Sequence, residues 1–201
     1  MTWRVTTLYI GGGSASGKTE LARALARARP DTLTLTEDDY YRCATTIPGF
    51  DAARHNFDEP AAKDLALLGD HLKALRRGDA IARPAYDMVT HSRLAQSVAC
   101  APAPLIVLEG LHAMSDPTLR SLFDVSVFVD APEELRLSRR LMRDVRQRSR
   151  SLDSVIDQFR DTVRPMHDLH IEPQKAFVDL VLSSENGTPE ELAVQVLARL
   201  A

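Results

Sequence analysis

The chain has 201 residues, 44% of them hydrophobic and 26% charged, with a formal net charge of −3 at pH 7. That length predicts one domain with a substantial core, and the slightly acidic balance excludes a global basic field for nucleic acid or an anionic membrane surface. The two cysteines, Cys43 and Cys100, stand at no metal or redox spacing, which with the lack of any apolar run of about 18 residues predicts a soluble, cytoplasmic protein with no membrane span.

The first apolar run, Arg4 to Ile10, has the length of one strand and no more, which predicts β structure rather than a signal peptide. It enters "GGGSASGKTELARALARA", where Gly12, Gly17, Lys18 and Thr19 satisfy G-x-x-x-x-G-K-[ST] between a predicted strand and a predicted helix over Lys18 to Arg29. Small residues suit that junction. Without Cβ atoms the chain can reach positive φ angles and bring backbone N–H groups close to an anion, toward which the helix also turns its positive end. Gly12, Gly13, Ser14, Ala15, Ser16 and Gly17 are thus expected to cradle phosphates, Lys18 to reach the outer ones, and the Thr19 hydroxyl to ligate Mg²⁺.

A second strand through "TLTLTE" delivers "EDDYY", Glu37 to Tyr41, at its carboxyl end. Helical spacing returns over Ala61 to Arg77, where Leu65, Leu68, Leu72 and Leu75 form a stripe that Gly78 stops. Residues from Ala80 to Ala99 read as an irregular or hairpin insertion, while "PLIVLEG" (Pro104 to Gly110) and "VSVFVD" (Val125 to Asp130) read as buried parallel strands. A long helix follows Pro132, another runs from about Leu152 to Leu169, and "FVDLVL" (Phe177 to Leu182) is the last strand. Thr188, Pro189 and Glu191 form a capping box that opens a final helix. Strands alternating with helices predict an α/β fold: a doubly wound parallel sheet with flanking helices, an insertion at about 80–99, an arginine-rich helical lid at about 136–152, and a ligand site beyond the carboxyl ends of the strands.

Several residues at those ends can carry chemistry. Asp38 and Asp39 leave the second strand on the same sheet edge as the loop, where a carboxylate can accept a proton from an acceptor hydroxyl or hold Mg²⁺. Glu109 closes the most apolar strand and is expected to face the metal or its water shell. Seven of the fifteen residues from Arg136 to Arg150 are arginine. Leu137, Leu141 and Val145 supply an apolar face for that helix, which leaves guanidinium groups free to clamp a transferring phosphoryl group.

Together "GGSASGKT", "DDYYR", "NFDEP", "PAYDMVTHSR", "VLEG", "VFVDAPEELRLSRRLMRD", "SLDSVIDQF" and "VRPMHDLHIEPQK" span most of the chain. In their order and content the chain resembles the uridine kinase (uridine-cytidine kinase) family, a branch of the phosphoribulokinase-like P-loop kinases. The resemblance implies transfer of the γ-phosphate of ATP or GTP to the 5′-hydroxyl of uridine or cytidine with Mg²⁺, in a homo-oligomer that is often a tetramer. It implies that Asp38 is the general base, that Asp58 binds the ribose diol, and that Tyr86 and His91 contact the pyrimidine with Tyr41 near the base. It also implies nucleoside and lid contacts for Arg140, Arg150 and Gln158, and phosphate clamps at Arg143 and Arg148. The chain departs from the family where Glu37 and Asp39 replace a common Gln and Ser, carboxylates expected to raise the pKa of Asp38 or recruit metal. It departs again at "SSENGT" beside the donor base and at "RQRSRS" in the lid turn. Two further readings fit the same loop: a related kinase with a different hydroxyl acceptor, and a nucleotide-binding regulator without catalysis.

Overall fold

The computed structural model describes residues 4–52, 55–148 and 150–200; Arg54, which opens the segment before "NFDEP", and Ser149 of the predicted lid lie outside them. In chain order the regular elements are β1 (Thr6–Gly11), α1 (Lys18–Ala28), β2 (Thr32–Thr36), α2 (Leu65–Arg77), β3 (Ile81–Arg83), β4 (Tyr86–Asp87), β5 (Ser92–Arg93), β6 (Val98–Cys100), β7 (Leu105–Glu109), α3 (Pro117–Arg120), β8 (Val125–Asp130), α4 (Glu133–Arg148), α5 (Leu152–Gln158), α6 (Arg164–Met166), β9 (Leu180–Ser183) and α7 (Pro189–Leu200). Five strands make one parallel sheet in the order β2-β7-β1-β8-β9.

Alternation along the strands feeds two cores. Leu8, Ile10, Val107 and Val127 pack with Leu21, Leu25, Leu192 and Val196 of α1 and α7 on one face. Tyr9, Ile106 and Leu108 pack with Leu68, Leu72 and Leu75 of α2 on the other. Helices on both faces make the sheet doubly wound, as the sequence predicts. Register then sets the site: Ile10 and Thr36 both pair with Glu109, so β1, β7 and β2 end level with one another. The loop after β1, the carboxylate at the end of β7 and the turn after β2 therefore emerge together, at the switch point where the connection from β1 runs to one side, to β2, and that from neighbouring β7 to the other, to β8.

The caps follow their sequence signals. Thr188 N–H donates to Glu191 Oε2 at 2.8 Å while Glu191 N–H donates to Thr188 Oγ1 at 3.3 Å. Three predicted boundaries move. The helix predicted from Ala61 begins at Leu65, where the Asp64 side chain accepts from the Leu67 N–H at 3.2 Å and caps it. The helix predicted from about Leu152 extends beyond Leu169 because wide π-helical turns at Phe159–Val163 and His167–Ile171 flank α6, and a wide turn accommodates the N–H that Pro165 lacks. The last strand begins at Leu180 rather than Phe177, since Asp179 turns inward to accept from the N–H and Oγ of Ser126 at 2.8 and 2.7 Å. The predicted insertion is two small antiparallel pairs, β3 with β6 and β4 with β5. No helix among the described residues is long and apolar enough to cross a membrane.

Candidate active site

The loop between β1 and α1 has left-handed backbone at Gly12 (φ +138°), Ala15 (φ +61°) and Gly17 (φ +110°). At Gly12 a Cβ would run into the carbonyl oxygen of Val129, so the position tolerates no side chain. Lys18 folds back over this loop and donates to the carbonyl of Gly13 at 2.8 Å. Burial lowers its ammonium pKa to about 8, against the pull of Glu109 and Asp38. Ser16 Oγ is buried without a hydrogen-bond partner, whereas Thr19 is exposed on the cavity wall. This is a cradle for phosphate oxygens. The oxygen donors that share the cavity, Thr19, Asp38 and Glu109, are of the hard type that suits Mg²⁺ carried on phosphates. Among the described residues no three His, Cys, Asp or Glu side chains cluster as a cage for a metal ion.

One cavity of about 1270 Å³ joins the loop to the acceptor side, where Asp38, Tyr41, Phe57, Asp58, His91 and Glu109 contribute to its wall. Asp38 lies in a 3-10 turn, Glu37–Tyr40, after β2. Protein packed around Asp38 would raise its carboxyl, but the Lys63 ammonium, with Lys18 and Arg148 beyond it, carries the group below the ordinary carboxylate range. The net direction is the opposite of the rise expected from the neighbouring carboxylates Glu37 and Asp39. Glu37 is fully buried, and its two oxygens accept four bonds of 2.8–3.1 Å from the backbone N–H groups of Leu111, His112 and Ala113. It is not among the described residues that line the cavity, and its oxygens are engaged by the backbone and Lys63. Asp39 likewise turns away and pairs with Arg83 of β3. Burial raises the Glu109 carboxyl and Lys18 opposes it; burial also raises the Asp58 carboxyl, with Arg140 opposing.

The aromatic part of the wall is built by stacking. His91, at φ +53°, lies face-on to Phe57 with centroids 4.7 Å apart, and the Tyr41 hydroxyl donates to the Phe57 carbonyl at 3.1 Å. Tyr86, expected to contact the pyrimidine, is not among the described residues lining the cavity. Its ring packs against that of Tyr41, which does line the cavity, with centroids 5.2 Å apart.

The α4 helix reverses the expected orientation. Its buried positions are Arg136, Arg140 and Asp144, whereas Val145 and Met142 are 41% and 51% exposed and Leu137 and Leu141 only half-buried. Arg140 donates to Ser14 Oγ at 2.7 Å and to Gln158 Oε1 at 2.8 Å, and Arg139 donates to the Ser16 carbonyl at 3.2 Å. Arg136 packs against Gly13. The phosphate loop, not an apolar surface, is what this helix covers, so guanidinium groups go inward. Four of them surround buried Asp144: Arg143 at 2.7 Å, Arg140 at 3.6 Å, Arg148 at 3.7 Å and Arg150 at 3.8 Å. Arg150 also donates to Gln158.

Lys63, Glu37 in its buried role, Asp144 and His112 were not legible as site residues. His112 is fully buried in the loop after β7, and neither ring nitrogen has a hydrogen-bond partner among the described residues. Burial lowers its pKa from the ordinary 6.5 to about 4. The unfolded chain therefore binds this proton more tightly, so stability is undisturbed above pH 6.5 and falls as pH drops from 6.5 toward 4. Chemical denaturation at pH 7 and pH 5 is expected to show a loss of about 1.4 kcal/mol per pH unit for each such histidine over most of that window, and His112→Met to remove its share. Unchanged pH dependence in that variant would refute the assignment.

The sequence profile of the phosphoribulokinase / uridine kinase family matches residues 8–188 of this chain. A uridine kinase of Tolumonas auensis is 40% identical over 194 residues, covering 94% of this chain and 90% of its own. A uridine kinase of Bacillus mycoides is 38% identical over 198 residues, covering 98% and 92%. Among solved structures, the phosphoribulokinase of Rhodobacter spheroides matches with a TM-score of 0.64 at 14% identity, over 94% of this chain and 75% of that one, a likeness of fold.

Proposed function

The chain belongs to the phosphoribulokinase / uridine kinase family, and from that premise we propose that it moves the γ-phosphate of ATP or GTP to the 5′-hydroxyl of uridine or cytidine. It is a phosphotransferase with an alcohol acceptor and takes a nucleotide donor, as kinases of this family do. The observation that carries the pyrimidine reading is one cavity with Lys18 and Thr19 at one end and Asp38, Asp58 and the Phe57–His91 stack at the other.

In this reading the loop and Lys18 hold the donor phosphates, while the Asp58 carboxylate accepts from the ribose O–H groups. Asp38 takes the proton of the acceptor hydroxyl as the oxygen's electron pair closes on the γ-phosphorus and the bond to the β-phosphate oxygen opens, leaving a nucleoside diphosphate. Arg143 and Arg148 neutralise charge on the transferring group, and Arg140, Arg150 and Gln158 fix the lid over it. Mg²⁺, which Thr19 and Glu109 would hold with Asp38 left to the proton, supplies further charge neutralisation on the phosphates.

An acceptor panel tests this. Uridine, cytidine, adenosine, a sugar phosphate and pantothenate are offered with ATP or GTP and Mg²⁺, and nucleoside diphosphate release is followed. A pyrimidine nucleoside is expected to lead by at least about tenfold in kcat/KM. A sugar phosphate or pantothenate in first place would replace the proposed acceptor, and no acceptor-dependent turnover would favour a regulator.

A further inference from the structure

Lys63 is a lysine with no exposed side-chain surface, in the stretch before α2 that helical spacing predicts as part of that helix. Its Nζ lies 2.9 Å from Asp38 Oδ1, 3.5 Å from Glu37 Oε2 and 4.8 Å from the centroid of the Tyr41 ring. The backbone fixes it there. Tyr41 and Lys63 form an isolated antiparallel bridge, Arg42 N–H donates to the Ala62 carbonyl at 2.9 Å, and Asp64 N–H donates to the Tyr40 carbonyl at 2.8 Å. Glu37 is in turn held by the backbone of Leu111–Ala113, so a continuous path of bonds runs from the end of β7 through Glu37 and Lys63 to Asp38.

A buried ammonium is costly unless it is paired, and Glu37 and Asp38 both pair this one. Glu37 has no exposed side-chain surface whereas Asp38 is 44% exposed, so of the two carboxylates only Asp38 can meet a ligand while the lysine holds it. The functional effect of the lysine therefore falls on Asp38. The bond to Oδ1 holds the carboxylate against the pull of the other positive groups, Lys18 and Arg148, and leaves Oδ2 for an acceptor. Lys63 does not line the cavity among the described residues, so it acts only through Asp38.

We propose that Lys63 is a positioning residue for phosphoryl transfer: anchored by Glu37, it grips Oδ1 of Asp38 and presents Oδ2 to the acceptor hydroxyl. The inference rests on the reading of Asp38 as the base, and not on which alcohol is the acceptor. A proton acceptor displaced by about 1 Å loses of the order of 10²-fold in rate, whereas binding groups elsewhere in the site are untouched.

The test is Lys63→Met and Lys63→Gln, each checked for folding by Tm and for an intact donor site by ATP affinity, with kinetics on whichever acceptor the wild type prefers. In a folded variant kcat is expected to fall about 10- to 100-fold, with acceptor KM and ATP Kd within about threefold of wild type. Wild-type kcat in a folded variant overturns the proposal. So does a parallel loss of kcat, KM and ATP affinity, or failure of both variants to fold, since either assigns Lys63 to the fold alone. A non-pyrimidine acceptor in the wild type overturns the pyrimidine reading and leaves this test intact; no turnover with any acceptor overturns both.

Discussion

Asp38→Asn is expected to lower kcat by about 10²–10⁴-fold while acceptor KM stays within a few-fold. The amide keeps the shape of the carboxylate and its place in the turn after β2, where the backbone N–H of residue 38 donates to Thr36 Oγ1 at 3.3 Å. Its carbonyl oxygen can still accept from Lys63. What it cannot do is take a proton. The pKa of Asp38 lies below the ordinary carboxylate range, so the native group is ionised at any pH where the enzyme works and loss of turnover is not a titration artefact. Steady-state kinetics at saturating ATP decide the matter: an asparagine variant with near-normal kcat refutes the base assignment, and a large rise in KM with unchanged kcat moves Asp38 to a binding role.

Gly110→Ala is expected to cost about 3–5 kcal/mol and about 10 °C in Tm for a domain of this size. A Cβ on residue 110 would overlap the carboxyl group of Glu37. Displacing that carboxylate strands the three N–H groups of Leu111, His112 and Ala113 and removes one of the two anions that neutralise Lys63. Gly78→Ala is the control. Gly78 has the positive φ, +91°, that Gly110 lacks, but nothing among the described residues lies within 4 Å of its would-be Cβ, so only backbone strain of about 1–2 kcal/mol is expected. Equal losses for the two variants in thermal or urea melts would show that the Glu37 network contributes little.

Much of the fold was legible because its signals are local. The phosphate loop is a contiguous string, β7 and β8 are uninterrupted apolar runs, and the Thr188–Glu191 box lies within four residues. The carboxylates at the strand ends followed from the parallel sheet, which brings such ends together whatever the intervening chain. The polarity of α4 was not legible. Leu137, Leu141 and Val145 have the same spacing of four as Arg136, Arg140 and Asp144, so periodicity offers two faces and hydrophobicity chooses the wrong one when the partner is a ring of backbone amides. Lys63 was hidden for another reason. A buried lysine is rare enough to be read as surface, and the contacts with Glu37 and Asp38, 26 and 25 positions away, make it tolerable.

The inward guanidinium groups of α4 change what can open independently. Arg136, Arg139 and Arg140 grip the loop at Gly13, Ser16 and Ser14 over more than a full turn of the helix, so the amino-terminal half of α4 and the nucleotide floor behave as one cooperative unit. Neither half can fluctuate away from the other without breaking several bonds at once. Opening of the amino-terminal half of α4 is thereby tied to opening of the loop itself.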